Sequence, residues 1–225
     1  YDVNTSSKRK ANLDAIVGDQ ANVAISISDA TGTITADKLS AIGGVAGIVT
    51  VANAQTVTGN KAEVTAALVT PETKVVLGAA STVTVSNAVT AAEGAAIAGV
   101  TNATASFTSG VSDTVANLYD VNTASKRKAT LDAIVGDQAN VAISISDATG
   151  TLQAAALSAI GGGTTGAVTV ASAQTVTGNK TDVTAALVTE ATKVVLGAPS
   201  TVTVSDAVTA AEGAAIAGVT NATAS

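Results

Sequence analysis

Oxygen-bearing side chains recur where segments of alternating Val, Ile and Thr end, and their chemistry could bind calcium. The five candidates are Asp29, Asn53, Asn87, Asp147 and Asp206. Asp and Asn oxygens are ligands that calcium takes in proteins, so calcium is a possible cofactor. The same residue types form Asx turns, in which the side chain bonds a backbone amide two residues on. We favour turns, because each segment offers few ligands and the chain has none of the Gly- and Asp-rich nonapeptides of calcium-binding β-helices.

Two basic segments could bind an acidic partner. They hold six of the eleven basic residues, namely Lys8, Arg9 and Lys10 in one segment and Lys126, Arg127 and Lys128 in the other. The partner would be the carboxylates of a neighbouring chain or an anionic surface polysaccharide. The alternative is a solvated helix start, because salt at physiological concentration screens so small a cluster of charges.

The residue types that are missing exclude most catalytic sites. The sequence contains no His and no Cys, so it holds no zinc finger, no Cys–His pair and no Ser–His–Asp triad. Asp14 and Asp19 could pair as glycosidase carboxylates, but the only aromatic residues are Tyr1, Phe107 and Tyr119. We therefore expect no enzyme and no catalytic residues, and the lack of Cys leaves the redox compartment open.

Net charge and hydropathy argue against two further kinds of interaction, with nucleic acid and with a membrane. The net charge of −6 argues against nucleic acid as a partner. No apolar run approaches the roughly 20 residues that span a bilayer, so we expect no membrane insertion.

The chain is a tandem repeat. YDVNTSSKRKANLDAIVGDQANVAISISDATGT at Tyr1 returns as YDVNTASKRKATLDAIVGDQANVAISISDATGT at Tyr119. The offset is 118 residues as far as Gly44 and Gly162, and 119 residues after a one-residue insertion. Copy 1 spans residues 1–118 and holds about four strand–helix coils on this reading. Copy 2 spans residues 119–225 and holds about three to four coils, so the chain reads as a piece of a longer array.

Each copy alternates strand-like and helix-like segments. Val, Ile and Thr with period two predict strands at 23–29, 48–54, 82–88 and 105–111, and in copy 2 at 141–147, 167–173 and 201–207. Capping-box spacing predicts helix starts at Thr90–Glu93, Thr209–Glu212, Asn60–Glu63 and Asn179–Asp182. A unit of about 30 residues with this rhythm predicts an α/β repeat solenoid, with one sheet of short parallel strands and short capped helices on its other side. The alternative is an all-β right-handed β-helix in which the Ala-rich segments are loops.

Thr-x-Thr triplets, such as Thr56–Thr58 and Thr82–Thr84, could form an ice-binding array if they stacked. We expect them not to stack, because some lie inside a predicted strand and others after it. Gln153 also replaces the equivalent of Thr35 in copy 2. Ice binding is therefore the weakest of the functions considered.

Three strings resemble the repeats of very large secreted and surface proteins of marine cyanobacteria and other Gram-negative bacteria. They are VSDTVANL (111–118), VAISISDATGT (141–151) and TVTVSDAVTAAEGAAI (201–216). The resemblance implies export to the extracellular space or cell surface, and a role as adhesin, coat or filament. We expect a structural repeat protein, a rigid spacer or filament, that assembles by stacking of adjacent repeats or chains. The alternative is a calcium-dependent adhesin that binds glycans or another cell.

Overall fold

Short strands form where Val, Ile or Thr alternate, because β-branched side chains pack well on a pleated surface. The computed structural model describes residues 1–4, 7–45, 47–73, 75–192 and 194–225. They form two units. Unit 1 comprises residues 1–88 and 93–109, and unit 2 comprises residues 89–92 and 110–225. The division therefore falls at Ser109, whereas the second copy begins at Tyr119.

The elements of unit 1 follow a strand–strand–helix order. They are α1 (Ala11–Asp19), β1 (Ile25–Ile27), β2 (Gly32–Thr35), α2 (Ala36–Gly43), β3 (Val49–Val51), β4 (Gln55–Gly59), α3 (Lys61–Val64), β5 (Val75–Leu77), β6 (Ser81–Val85), α4 (Ala91–Ala98) and β7 (Ala103–Phe107). A π-helical turn (Thr65–Val69) continues α3, a 3₁₀ turn (Pro71–Thr73) follows it, and the first two residues of α4 belong to unit 2.

Unit 2 begins with an additional strand and a short helix and then repeats this order. Its elements are β8 (Val111–Asp113), α5 (Val115–Leu118), α6 (Ala129–Asp137), β9 (Ile143–Ile145), β10 (Thr151–Gln153), α7 (Ala154–Gly161), β11 (Val168–Val170), β12 (Thr175–Gly178), α8 (Lys180–Leu187), β13 (Val194–Leu196), β14 (Ser200–Val204), α9 (Ala210–Ala217) and β15 (Ala222–Ala224). A 3₁₀ turn (Glu190–Thr192) lies between α8 and β13.

Among the described residues, all pairs of strands are parallel, and each unit contains two sheets. In unit 1 the orders are β1-β3-β5 and β2-β4-β6-β7. In unit 2 they are β8-β9-β11-β13 and β10-β12-β14-β15. We call β1-β3-β5 and β8-β9-β11-β13 the first sheets, and the others the second sheets. Strands pair with their equivalents in the next segment, as Val49 does with Ile25 and Val75.

The α/β class is thus confirmed, and the all-β alternative is wrong because the Ala-rich segments are helical. The expectation of one sheet is also wrong. A short polar turn follows every first-sheet strand except β8, and a second strand begins directly after that turn. TVTVSNA belongs to the second sheet as β6, whereas the first-sheet strand of that segment is Val75–Leu77, which is too short to show alternation.

The alternation of side chains along each strand determines which residues lie in the core. In β3, Val49 and Val51 are buried while Thr50 is partly exposed. The helices pack closely because their facing residues are small. A Cβ atom added at Gly59 would lie 2.9 Å from the Cβ of Ala36, and one added at Gly178 would lie 2.9 Å from the Cβ of Ala154. Ala opposite Gly therefore brings helix and strand together in both copies.

Helix starts agree with the predicted boxes. The Asn60 side chain accepts a hydrogen bond from the Glu63 amide, and the Glu63 carboxylate accepts one from the Asn60 amide, each at 3.0 Å. Thr209 and Glu212 form the same reciprocal pair. Asn179 accepts from the Asp182 amide, but the shorter Asp182 carboxylate contacts the Asn179 side-chain amide instead. In the described part of the chain, no helix has the length and apolar character needed to cross a bilayer.

The one-residue insertion lies in the loop between α7 and β11. There Thr164, which is buried, donates a hydrogen bond to the Val141 carbonyl at 2.6 Å and accepts one from the Gly166 amide. Val45 is the buried residue at the corresponding place in unit 1. The extra residue is therefore absorbed in a loop, and the strands on either side of it keep their pairing.

Gly110→Ala should destabilise the chain strongly. Gly110 has a φ of +69°, and an added Cβ would overlap the Ala142 carbonyl oxygen, which accepts the Val111 amide. Gly136→Ala is the matched control, because nothing lies within 4 Å of a Cβ there and Ala favours α6 by about 0.5–1 kcal/mol. Thermal unfolding should show a lower melting temperature for the first variant and an equal or higher one for the second. Equal melting temperatures for both variants would contradict the packing at Gly110.

Candidate functional site

Three of the five calcium candidates bind helix N-termini of the preceding segment. Asn87 Oδ1 accepts the Lys61 amide at 2.7 Å, and Asp206 Oδ1 accepts the Lys180 amide at 2.6 Å. Asp147 Oδ2 accepts the Val115 amide at 2.7 Å. These amides belong to the first residues of α3, α8 and α5, respectively. Backbone N–H groups at such positions have no partner within the helix. Each side chain therefore links two successive segments.

The expected Asx turns are thus not what these three side chains form. Their hydrogen bonds reach back by a whole segment rather than forward by two residues. The other two candidates differ again. Asn53 donates from Nδ2 to the Asp29 carbonyl oxygen at 2.8 Å, and the Asp29 side chain is exposed. Among the described residues, no three Asp or Glu side chains converge as a metal site would require.

Asp113 is a fourth residue of this kind, and the sequence analysis missed it. It is 7% exposed, and its Oδ2 accepts the amide of Ala91, the first residue of α4, at 2.9 Å. Its Oδ1 accepts the Thr114 amide and the Asn117 side-chain amide. The available signal was an Asp at a strand end, as at the other candidates. Both oxygens of this buried carboxyl group therefore accept hydrogen bonds, as burial of a polar group requires.

A buried glutamine makes a second link between segments. Gln55 donates from Nε2 to the Ala30 carbonyl at 2.9 Å, and its backbone amide donates to Ser81 Oγ at 3.1 Å. Gln174 repeats both bonds with Ala148 and Ser200. Three successive segments are thereby joined in each copy. The sequence signal was a polar residue at the inward position of a strand, repeated at the offset of 119 residues.

The basic segments fold onto the chain through their arginines. Arg9 Nε donates to Asp14 Oδ1 at 2.7 Å, and Arg9 Nη1 donates to the Ala41 carbonyl at the end of α2 at 3.2 Å. Ser7 Oγ donates to Asp14 Oδ2 at 2.6 Å. The Ser7 hydroxyl and then Arg9 lower the pKa of Asp14, so its carboxylate is ionised at neutral pH. Arg9 is therefore an internal bridge rather than a free contact for a partner.

The second basic segment has the same geometry. Arg127 Nε donates to Asp132 Oδ1 at 2.8 Å, and Ser125 Oγ donates to Asp132 Oδ2 at 2.8 Å. Lys8 and Lys126 are exposed and have φ angles of 54° and 55°. Lys10 is also exposed, whereas Lys128 Nζ lies 3.7 Å from Asp120 Oδ2. The lysines, not the arginines, remain at the surface.

Threonines of the second sheets form ordered columns, which corrects the expectation that the triplets do not stack. Register places Thr56 beside Thr33 and Thr82, and Thr58 beside Thr35 and Thr84. We call these columns the threonine face. In unit 1 it comprises Thr33, Thr56, Thr82 and Thr104 in one column and Thr35, Thr58, Thr84 and Ser106 in the other. In unit 2 it comprises Thr151, Thr175, Thr201 and Thr223 beside Gln153, Thr177 and Thr203.

Comparison with known protein families, curated sequences and solved structures gives no match.

One surface hollow in unit 1 gathers polar groups. It has a volume of about 420 Å³ and is lined in part by Ser7, Lys8, Asp37 and Glu63. Its carboxylates are already engaged, since Asp37 accepts the Tyr1 hydroxyl at 2.7 Å and Glu63 caps α3. The Asp37 hydrogen bond raises the pKa of Tyr1, so this hydroxyl stays protonated at neutral pH. The hollow holds groups that stabilise the fold.

Arg9→Ala should lower the melting temperature by a few degrees, because it removes the bond to the end of α2 and leaves Asp14 without its ionic partner. Lys10→Ala is the matched control, since Lys10 is exposed and its side chain makes no capping bond to α1. Circular dichroism melting of both variants is the measurement. An equal effect of the two substitutions would show that Arg9 does not act as an internal bridge.

Asn87→Ala and Asp206→Ala should each lower the free energy of unfolding by roughly 1 kcal/mol, the usual loss on removing a helix cap. Asp29→Ala is the control, because Asp29 offers its backbone carbonyl rather than its carboxylate to the next segment. Urea denaturation, carried out with calcium and with a chelator, measures the loss of stability and tests whether these residues bind calcium. A rise in stability with calcium that Asp206→Ala abolishes would instead assign this residue to a metal site.

Proposed function

We propose that this chain is a structural repeat protein whose α/β segments are the coils of a solenoid. The observation that carries the proposal is the repeated parallel pairing of each strand with its equivalent in the next segment. Thr56, for example, lies between Thr33 and Thr82, and Val168 lies between Ile143 and Val194. In solenoids each repeat contacts its neighbours and buries its apolar face against them.

Contacts between segments support the same role. The caps from Asn87, Asp147 and Asp206 tie the start of one helix to the following segment. Lys61 Nζ lies 2.9 Å from Glu93 Oε2, and Lys180 Nζ lies 3.3 Å from Glu212 Oε1, so successive helices are also joined by ion pairs. Bonds of this kind resist sliding and separation of segments, which a spacer or filament requires.

Self-association is the partner interaction that the sheets favour. β5 and β13 each lie at the edge of a first sheet. Val76 and Val195 at these edges are 47% and 50% exposed. An edge strand presents backbone groups that another chain can join. Here the Leu77 and Leu196 carbonyls already accept the side-chain amides of Asn102 and Asn221, so the remaining groups of the edge would carry the contact. The resemblance to secreted repeat proteins supports an extracellular or cell-surface setting, where Lys8, Lys10 and Lys126 would contact anionic polysaccharide.

The decisive experiment compares this chain with a version that carries one further copy of residues 107–225. A solenoid at about 4.8 Å per coil should lengthen by a fixed step of roughly 20 Å for four added coils. Small-angle X-ray scattering and negative-stain electron microscopy, with and without chelator, measure that step. An added copy that leaves the longest dimension unchanged would contradict the proposal. Rods that collapse only in chelator would favour a calcium-dependent adhesin.

A further inference from the structure

We infer that the threonine face of each second sheet binds ice. The inference goes beyond the structural role, because a spacer needs no ordered outer surface. It starts from the registers, which place Thr, Ser or Gln at each position of both columns. Thr33, Thr82 and Thr104 of the first column are exposed, whereas the second column is half-buried in unit 1 and the Thr35 hydroxyl is buried. On a chain with a net charge of −6, these columns contain no charged residue. A surface without charged groups is compatible with binding to ice, whose lattice consists of neutral water molecules.

The spacing of the columns is set by the sheet itself. Neighbouring strands lie about 4.8 Å apart, and residues two apart along a parallel strand lie about 6.6 Å apart. Thr groups therefore repeat in two dimensions, at distances similar to the oxygen repeats on the prism face of hexagonal ice. A surface with this period can hold water molecules at positions that a growing ice layer continues.

The side chains are also held still. Thr is stiff about χ1 because it is branched at Cβ. Thr82 Oγ1 donates to Thr56 Oγ1 at 3.2 Å, and Thr203 Oγ1 lies 3.0 Å from Ser225 Oγ. Beneath the face, Val57, Val83, Val176 and Val202 are buried and fix the strands. Methyl groups order water around them while hydroxyls anchor it, so both parts of Thr contribute.

Ice suits this face better than a carbohydrate surface does. Sugar rings are usually recognised by stacking aromatic side chains, and the columns contain none. Both units carry the face, although Gln153 takes the place of Thr at one end of a column in unit 2. We expect the two faces to act independently, so a variant must alter both.

The test uses the 225-residue chain in an ice-affinity experiment, in which protein enters or is excluded from slowly growing ice. The paired variant is Thr82→Lys with Thr201→Lys, at two exposed positions that correspond between the copies. The matched control is Val3→Lys with Val121→Lys, at two exposed positions outside the sheets that also correspond between the copies. Wild type and control should be enriched in ice several-fold over serum albumin, while the Thr variant should fall to the albumin level. Ice recrystallisation in sucrose solution should rank the proteins in the same order.

Three results would overturn the inference. They are exclusion of the wild type from ice as complete as that of albumin, an equal loss in the Val control, and self-association of the wild type that the Thr variant abolishes. The last would assign the face to a second copy of the chain. Should the Lys pair fail to fold, Thr82→Ser with Thr201→Ser removes only the methyl groups and should still reduce enrichment in ice. Unchanged enrichment in that folded variant would also count against the threonine face.

Discussion

In-register parallel pairing between equivalent strands is the interaction on which every other element depends. The strands have only three to five residues, and strands this short are not stable by themselves. The helices, at no more than nine residues in the described chain, are also too short to form alone in water. Pairing places Val49 and Val51 inside and Thr50 outside, and only then do the helices have an apolar surface to cover. Stability is therefore shared between segments and cannot be assigned to one of them.

Small side chains make this sharing possible. Ala36 approaches Gly59, and Ala154 approaches Gly178, at places where a larger side chain would separate helix from strand. The polar contacts follow the same logic, because Asn87, Asp113 and Asp206 reach amides in the preceding segment. Each segment thus completes the hydrogen bonding of its neighbour. Residues that the sequence suggested as calcium ligands instead form hydrogen bonds between successive segments.

Local signals in the sequence predicted local structure well. The alternation in VAISISD predicted β1 and β9, and the spacing of Asn60 and Glu63 predicted the start of α3. These features depend on neighbours within four residues. One of the two strands of each segment was missed. β2 and β4 were not predicted, and neither was VVL at Val75–Leu77, which is too short to show a period, while STVTV was assigned to the single expected sheet.

Features that depend on register could not be predicted from the sequence. The stacking of Thr56 on Thr33 and Thr82 requires that each triplet lie in a strand at the same height, which only the paired sheet determines. The roles of Arg9 and Arg127 likewise depend on the ends of α2 and α7, 32 residues further along the chain. Charge composition alone suggested a partner for both arginines. Geometry shows that they bind carboxylates and carbonyls of the chain itself.

The loop that absorbs the extra residue before β11 bears on how such genes change. Because Thr164 bonds to the Val141 carbonyl while β9 and β11 remain paired, this loop accepts one extra residue without a change in strand register. Recombination between misaligned copies would then add or remove a whole block and recreate junctions that already exist. A lineage could change the number of blocks without inventing a new interface. The length of such a protein would then depend on how many copies of the block its gene carries.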